Sequence, residues 1–475
     1  MLQKVISQLS KTQYSELYDE LSANRGEKFS KLLELYRDDD MEDAAIRDTI
    51  GAKQAAFYTL KSRLFDKVQQ YLFRTSSDNR AELLKNVSSI PYLIYNTPRE
   101  TAISLLLHLE SELKKEDMPA ELMSVYSGLK KLHLHTAQFY HYQQLYNKNV
   151  AYMLALDKTE ELVSLFTREL GEYLLSMDTE KTVLLKLYLQ EMSNPSRLYD
   201  SHRLKINYII VGVTYAIFVD EKNEVPGTDA TIEELMQQFK TILESYPDHR
   251  NYRFLEPVRL FLNFEYYHQL GLHKNSNLNY EKLNSNLETF LILSHSCPTT
   301  RFLHSKLEHE LIVGSTKDLP REESILFQPD PDDAFSTINY HIYLAARCFH
   351  ENKFSEAATT LNKLLNEVGF KDFAFAEARV KLFLTLNLLL AEKSDQAEIT
   401  LRSISRKLSS DELAGHFPAA ENFAKFLKIA LNDNSSSKLK KLEAAYSAFA
   451  TINKGKAAIL FVVTITPAHL KKLSE

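Results

Sequence analysis

Apolar residues recur every three to four positions along most of the chain, the spacing of a helix that buries one face. The pattern resolves roughly sixteen to eighteen candidate helices of ordinary globular length. Short polar clusters interrupt it at "RTSSDN" (74–79), "NTPRE" (96–100) and "DEKNEVPGTDA" (220–230). The longest interruption is "GSTKDLPREESILFQPDPDDAFS" (314–336), which holds three prolines and an acidic cluster. The expected organisation is a helical region over 1–95, a middle helical array over 96–313, and a C-terminal set of hairpins over 337–475. Within the middle array the periodicity places helices near 100–115, 119–137, 158–176, 197–219 and 252–270. The most apolar run, "YIIVGVTYAIFV" (208–219), is 12 residues long. That is too short to span a bilayer and suits a buried helix. The β-branched "AAILFVVTITP" (457–467) has no partner strand in view, so it is expected to be a buried capping segment.

After residue 336 the pattern sharpens. "INYHIYLAARCFHENKFSEAATTLNKLLNEVG" (338–369) reads as two helices joined by a turn at Glu351–Asn352–Lys353. "DFAFAEARVKLFLTLNLLLAEKSDQAEITLRSISRKL" (372–408) repeats the layout, with Leu384 matching Leu344 and Ala397 matching Ala357. A third pair follows at about 418–450. Leu344, Ala345, Ala357, Leu361 and Leu364 occupy the small and apolar packing positions of a tetratricopeptide repeat, which this segment resembles. Cys348 and Gly369 depart from the usual pattern, and the offset of 40 residues exceeds the usual repeat of about 34. Longer helices or an irregular junction must absorb the difference. The implied fold is all-α, an array of antiparallel helical hairpins forming an α-solenoid.

Composition supports helices. Gly (11) and Pro (13) are few among 475 residues, so tight turns are scarce. Trp is absent, while 25 Tyr and 26 Phe supply bulk between helices. Net charge is −6: residues 1–95 are balanced, 336–475 carry +5, and the middle is acidic. Cys297 and Cys348 form no metal or disulfide pattern and read as thiols of a reducing cytosol. With neither a secretory signal nor a spanning segment in view, the expected compartment is the cytoplasm, without membrane association.

One stretch carries a second resemblance. "IRDTIGAKQAAFYTLKSRLF" (46–65) is similar to a helix-turn-helix, with Gly51 at the turn and Ile46, Ile50, Phe57 and Leu60 at the packing positions. That resemblance would direct Gln54, Ala55, Tyr58, Thr59 and Ser62 toward a DNA groove, with Arg63, Lys67 and Arg74 on the phosphate-facing flank. Arg47, where a small residue is usual, would crowd the helix crossing, and "RDDDMED" (37–43) would repel phosphate. The other reading is the first amphipathic hairpin of a helical array.

The remaining motifs stay below the pattern that their chemistry needs. His133, His135 and His141 lack the i, i+4 spacing of helical metal ligands. In "HSKLEHE" (304–310) His304 and His309 are five apart, off a common face. "DPDD" (330–333) reads as a helix-capping linker, and "NKGKAA" (453–458) lacks the rest of a phosphate loop. No cofactor, metal site or catalytic residue is therefore expected. An enzyme would need a deep pocket with paired ionisable groups. The aromatics Phe139, Tyr142, Tyr146, Phe264 and Tyr267 either pack between helices or line a peptide groove. The expected function is a non-enzymatic scaffold or regulator that binds a protein or peptide through its repeat surface. The alternative is a transcription regulator that binds DNA through the 43–72 hairpin.

Overall fold

The computed structural model describes residues 2–7, 9, 11–23, 27–37, 43–75, 80–247, 252–285, 287–291, 297–313, 329–330, 332–410, 413–433, 435–460 and 463–475. The described chain is helical throughout, with no strand among the described residues. Most of the 314–336 interruption, and residues 38–42 of the acidic stretch, lie outside the described residues.

Contacts divide the chain into two compact units, with the change at Leu154–Ala155. The first unit has two hydrophobic clusters. One is built by α1 (Leu2–Ser7), α2 (Lys11–Ala23), α3 (Glu27–Arg37), α4 (Asp43–Ile50) and α5 (Gln54–Thr75), around Leu32, Leu33, Ile46, Phe57 and Leu64. The other gathers α6 (Arg80–Ser88), α7 (Ile90–Asn96), α8 (Arg99–Lys115), α9 (Pro119–Leu132) and the start of α10 (Gln138–Ser176). The helix expected near 158–176 is the second half of α10, which runs for 39 residues.

The second unit has one continuous core. It begins with the rest of α10, then α11 (Thr179–Leu198), α12 (His202–Phe218), α13 (Ile232–Ser245), α14 (Tyr252–Gln269), α15 (His273–Asn284), α16 (Leu287–Leu291) and α17 (Thr299–Val313). The hairpins follow: α18 (Ala334–His350) with α19 (Phe354–Glu367), α20 (Ala374–Leu390) with α21 (Ser394–Leu408), and α22 (Pro418–Asn432) with α23 (Lys438–Ile452). The short α24 (Pro467–Ser474) returns onto α20 and α23. Helix α12 is buried on every side from Tyr208 to Phe218, as its apolar run predicts. Gly212 belongs there because a Cβ would meet Val225 Cγ1 at 2.7 Å. No helix among the described residues is long and apolar enough to cross a membrane.

One turn recurs. Between α18 and α19, Lys353 N–H bonds to Cys348 O (2.8 Å) and Asn352 N–H to Phe349 O (3.0 Å), with Asn352 at φ +59°. Between α20 and α21, Lys393 bonds to Leu388 O and Glu392 to Leu389 O, with Glu392 at φ +60°. Both are Schellman caps, which satisfy the last carbonyls of one helix and reverse the chain. The same bonds close α8–α9 around Asp117 and α14–α15 around Gly271. Asn352 and Glu392 stand 40 residues apart, and the offset is made by helices of 17 and 14 residues with an irregular junction from Val368 to Phe373. Ala345, Ala357, Leu361, Leu364, Leu384 and Ala397 are buried, and Leu344 is half-buried. The described residues of the expected capping segment before Pro467 are irregular, with Ile459, Leu460, Val463 and Ile465 packed into the core.

Candidate functional site

The 43–72 hairpin is the best-defined sequence-predicted site. Gly51 takes a left-handed φ of +66° and separates α4 from α5, and both helices pack on α3. Asp43 ties the three together: Tyr36 Oη donates to Oδ1 (2.7 Å) and Lys61 Nζ to Oδ2 (2.5 Å). Burial would raise the Asp43 pKa, but Lys61 and Tyr36 hold it below the ordinary value. Ile46 and Phe57 are buried, and Ile50 and Leu60 are half-buried. Gln54, Tyr58, Thr59, Ser62 and Arg63 are exposed on α5, while Lys67 is half-buried with its ammonium 5.5 Å from the Phe29 ring centroid. Arg47 corrects its expectation. It does not crowd a crossing but turns outward to Asp48 (2.7 Å). The Arg74 side chain lies outside the described residues.

Two of the five proposed groove aromatics are core. Phe264 is 0% exposed, and Tyr142 is buried with its ring 5.3 Å from that of His133. Neither ring has the surface a groove anchor needs. Phe139 is half-buried, Tyr146 carries Lys130 at 4.2 Å over its ring, and half-buried Tyr267 packs against Tyr266. Phe139, Tyr142 and Tyr146 belong to the first unit and Phe264 and Tyr267 to the second. No cluster of three metal-ligating side chains occurs among the described residues. His304 Nε2 pairs with Asn339 O (2.6 Å) and His309 Nε2 with Asn277 Oδ1 (3.1 Å), so the two rings serve different neighbours. Asp333 caps α18 by accepting from Ser336 N–H (3.0 Å).

The second unit holds a cavity that no sequence motif marks. It has a volume of about 450 Å³. Glu265 and His268 reach it from α14, Arg301, Ser305 and Glu308 from α17, and Arg379 from α20. Burial pushes the Glu265 carboxyl up against the pull of Arg301 and Ser305. His268 Nε2 lies 3.2 Å from Glu308 Oε2. Burial opposes its protonation, but Glu308 and Glu265 raise its pKa overall. Burial and the nearby Arg301 charge hold Arg379 down at about 9, while its Nε donates to Ile459 O (3.1 Å). Lys456, from the rejected phosphate-loop motif, caps α12 instead: Nζ donates to Ala216 O (2.6 Å), Asp220 O and Asn223 Oδ1 (3.2 Å). The available signal was polar spacing at 301, 305 and 308, one face of α17, and at 265 and 268 on α14. Such a stripe normally marks solvent.

Buried imidazoles give this unit an acid sensitivity. Burial lowers His304 well below its ordinary value. His309 falls to about 4, through burial and the cationic neighbours His268 and His273, against Glu310. In the unfolded chain both titrate near about 6.5. Between pH 6.5 and about 4 the unfolded chain therefore binds protons that the folded one refuses. Stability falls on acidification, and the raised pKa of His268 offsets part of that loss. Unfolding free energies from urea titrations at pH 7 and 5 are expected to differ by roughly 2 kcal/mol, less in a His309→Asn variant. A midpoint that does not move would contradict the neutral-ring assignment.

No family model, no curated protein and no solved structure matches this chain.

Proposed function

We propose that the protein is a non-enzymatic helical-repeat scaffold or regulator of the cytoplasm, tetratricopeptide-like toward its C-terminus, which binds a protein partner through the surface of its second unit. The observation that carries this reading is the outer face of α11. Leu185, Leu189 and Met192 bury one side of that helix. Val183, Leu184 and Leu187 stand exposed on the other, Val183 by 59% and Leu187 by 52%. An apolar patch held in water on a rigid helix is the ordinary mark of a protein contact.

A second reading keeps the first unit as a DNA contact, favoured by the exposure of Gln54, Tyr58, Thr59, Ser62 and Arg63 behind the Gly51 turn. One experiment addresses both. The tagged protein is captured from its native cell, and the bound protein and nucleic acid are identified. The first reading expects a co-purifying protein that is lost from a folded Val183→Lys, Leu187→Lys variant. Unchanged capture by that variant removes α11 as the contact. The second reading expects salt-sensitive DNA that is lost on Arg63→Ala. No retardation of genomic fragments at low salt removes it.

A further inference from the structure

Residues 457–475 lie on the second unit as a strap with one covered side and one open side. Ala458, Ile459 and Leu460 are buried soon after the chain leaves α23. Further on the sides alternate: Val463 and Ile465 are buried, while Thr464 and Thr466 are exposed. A period of two belongs to an extended peptide laid on a surface. Helix α24 then turns His469, Leu470 and Leu473 inward and leaves Ala468, Lys471 and Lys472 in water. The surface beneath is shared by the hairpins. Arg379 of α20 donates from Nε to Ile459 O (3.1 Å), and α24 packs on α20 and α23. The His469 ring lies 4.9 Å from that of Phe349 on α18 and 5.7 Å from that of Phe354 on α19. Lys472 Nζ stands 5.3 Å from the Phe354 ring centroid and 3.9 Å from Glu392, in the turn after α20. One segment thus touches all three hairpins, as a bound peptide spans the repeats of a helical array.

The origin of the strap is fixed. Gly455 turns the chain at φ +73°, and Lys456 Nζ is tied to the end of α12 through Ala216 O (2.6 Å). We propose that the segment beyond Lys456 is an internal ligand, and that the surface beneath it on α18, α20 and α23 takes a peptide of the same chemistry from a partner protein. That peptide has apolar side chains at alternate positions of an extended run, followed by a short helix with an apolar face and a basic flank. The surface sets this chemistry. The sites of Val463, Ile465, Leu470 and Leu473 take apolar side chains, Arg379 donates to a peptide carbonyl, and Glu392 favours a cation at the helical end. Because the strap is tethered, it competes at an effective concentration on the order of millimolar, and the partner must exceed that to displace it. This contact goes beyond the α11 face and is independent of it.

The test uses the full-length protein and a full-length Leu470→Asp, Leu473→Asp variant, in which the strap is weakened. A labelled synthetic peptide of residues 457–475 is titrated onto each and followed by fluorescence anisotropy. The variant is expected to bind it one to one, and the unaltered protein at least about tenfold more weakly, because its surface is already occupied. A peptide carrying both Asp changes is expected to bind neither. Equal binding to the two proteins, or no binding to the folded variant, overturns the proposal. Hydrogen exchange on the unaltered protein decides the matter if the variant does not fold. Amides of α24 are expected to exchange through a local opening while those of α20 and α22 stay protected. Exchange of α24 only on global unfolding would make the strap part of the core and overturn the proposal. Val183 and Leu187 are unaltered throughout, so this result and that for α11 stand or fall separately.

Discussion

Replacing Glu310 with leucine while keeping Lys306 is expected to destabilise the second unit by about 3–5 kcal/mol. The two residues sit one turn apart on α17, with side chains 1% (Lys306) and 8% (Glu310) exposed, and their charged ends pair directly. Tyr280 from α15 completes the group. Its hydroxyl donates to Glu310 Oε1 (2.5 Å) and accepts from Lys306 Nζ (3.2 Å). Burial first, then Glu310, pushes that hydroxyl up to about 12 against the Lys306 charge. Taking two charges out of water is costly, and only their mutual attraction and the tyrosine bonds offset it. Removing the carboxylate leaves a buried ammonium with no counter-charge from this pair. The double change Lys306→Met, Glu310→Leu removes both charges and is expected to recover most of the loss. Urea denaturation of the three proteins measures the coupling. A single-variant cost below about 1 kcal/mol would mean that water reaches the pair.

Helix α17 also shows where the sequence stops being readable. Arg301, His304, Ser305, Lys306, Glu308, His309 and Glu310 make it polar around most of its circumference, the pattern of a solvated helix. In the folded chain nearly all of it is covered. Four of these residues are matched from another element: His304 by α18, Lys306 and Glu310 by Tyr280, His309 by Asn277. Such matches arise between residues far apart in sequence, so no local period announces them. The cavity shares this cause, because its polar stripes on α14 and α17 look like outward faces until the other helices are placed. The hairpins are the opposite case. The turn at Glu351–Asn352–Lys353 and the buried Ala345 and Ala357 follow from local periodicity and small-residue spacing. The HTH-like segment lies between these cases. Its packing residues and turn were legible, whereas the exposure of Gln54, Tyr58, Thr59 and Ser62 depended on what packs nearby.

Phe264→Ala separates a core aromatic from a groove anchor, and it is expected to cost about 3–5 kcal/mol of stability. The ring is fully buried on α14. It stands edge-on to Phe302 with centroids 5.4 Å apart, stacks on His268 at 5.4 Å, and meets His309 at 5.5 Å. Truncation removes those contacts and leaves a void bordered by two imidazoles, which packed neighbours refill only in part. Phe264→Leu keeps most of the volume and is expected to cost about half as much or less. The sequence allowed both roles because "FLNFEYYHQL" (261–270) is aromatic on several faces at once. The helical period decides between them. Phe261, Phe264 and His268 fall on one stripe, and both phenylalanines are buried on it. Tyr267 lies off that stripe and remains half-buried, so Tyr267→Ala is expected to cost much less than Phe264→Ala. A groove anchor would give the reverse signature: little change in the urea midpoint and a large loss of partner affinity. A stable Phe264→Ala protein would therefore return that ring to the surface, contrary to the packing of α14 against α15 and α17.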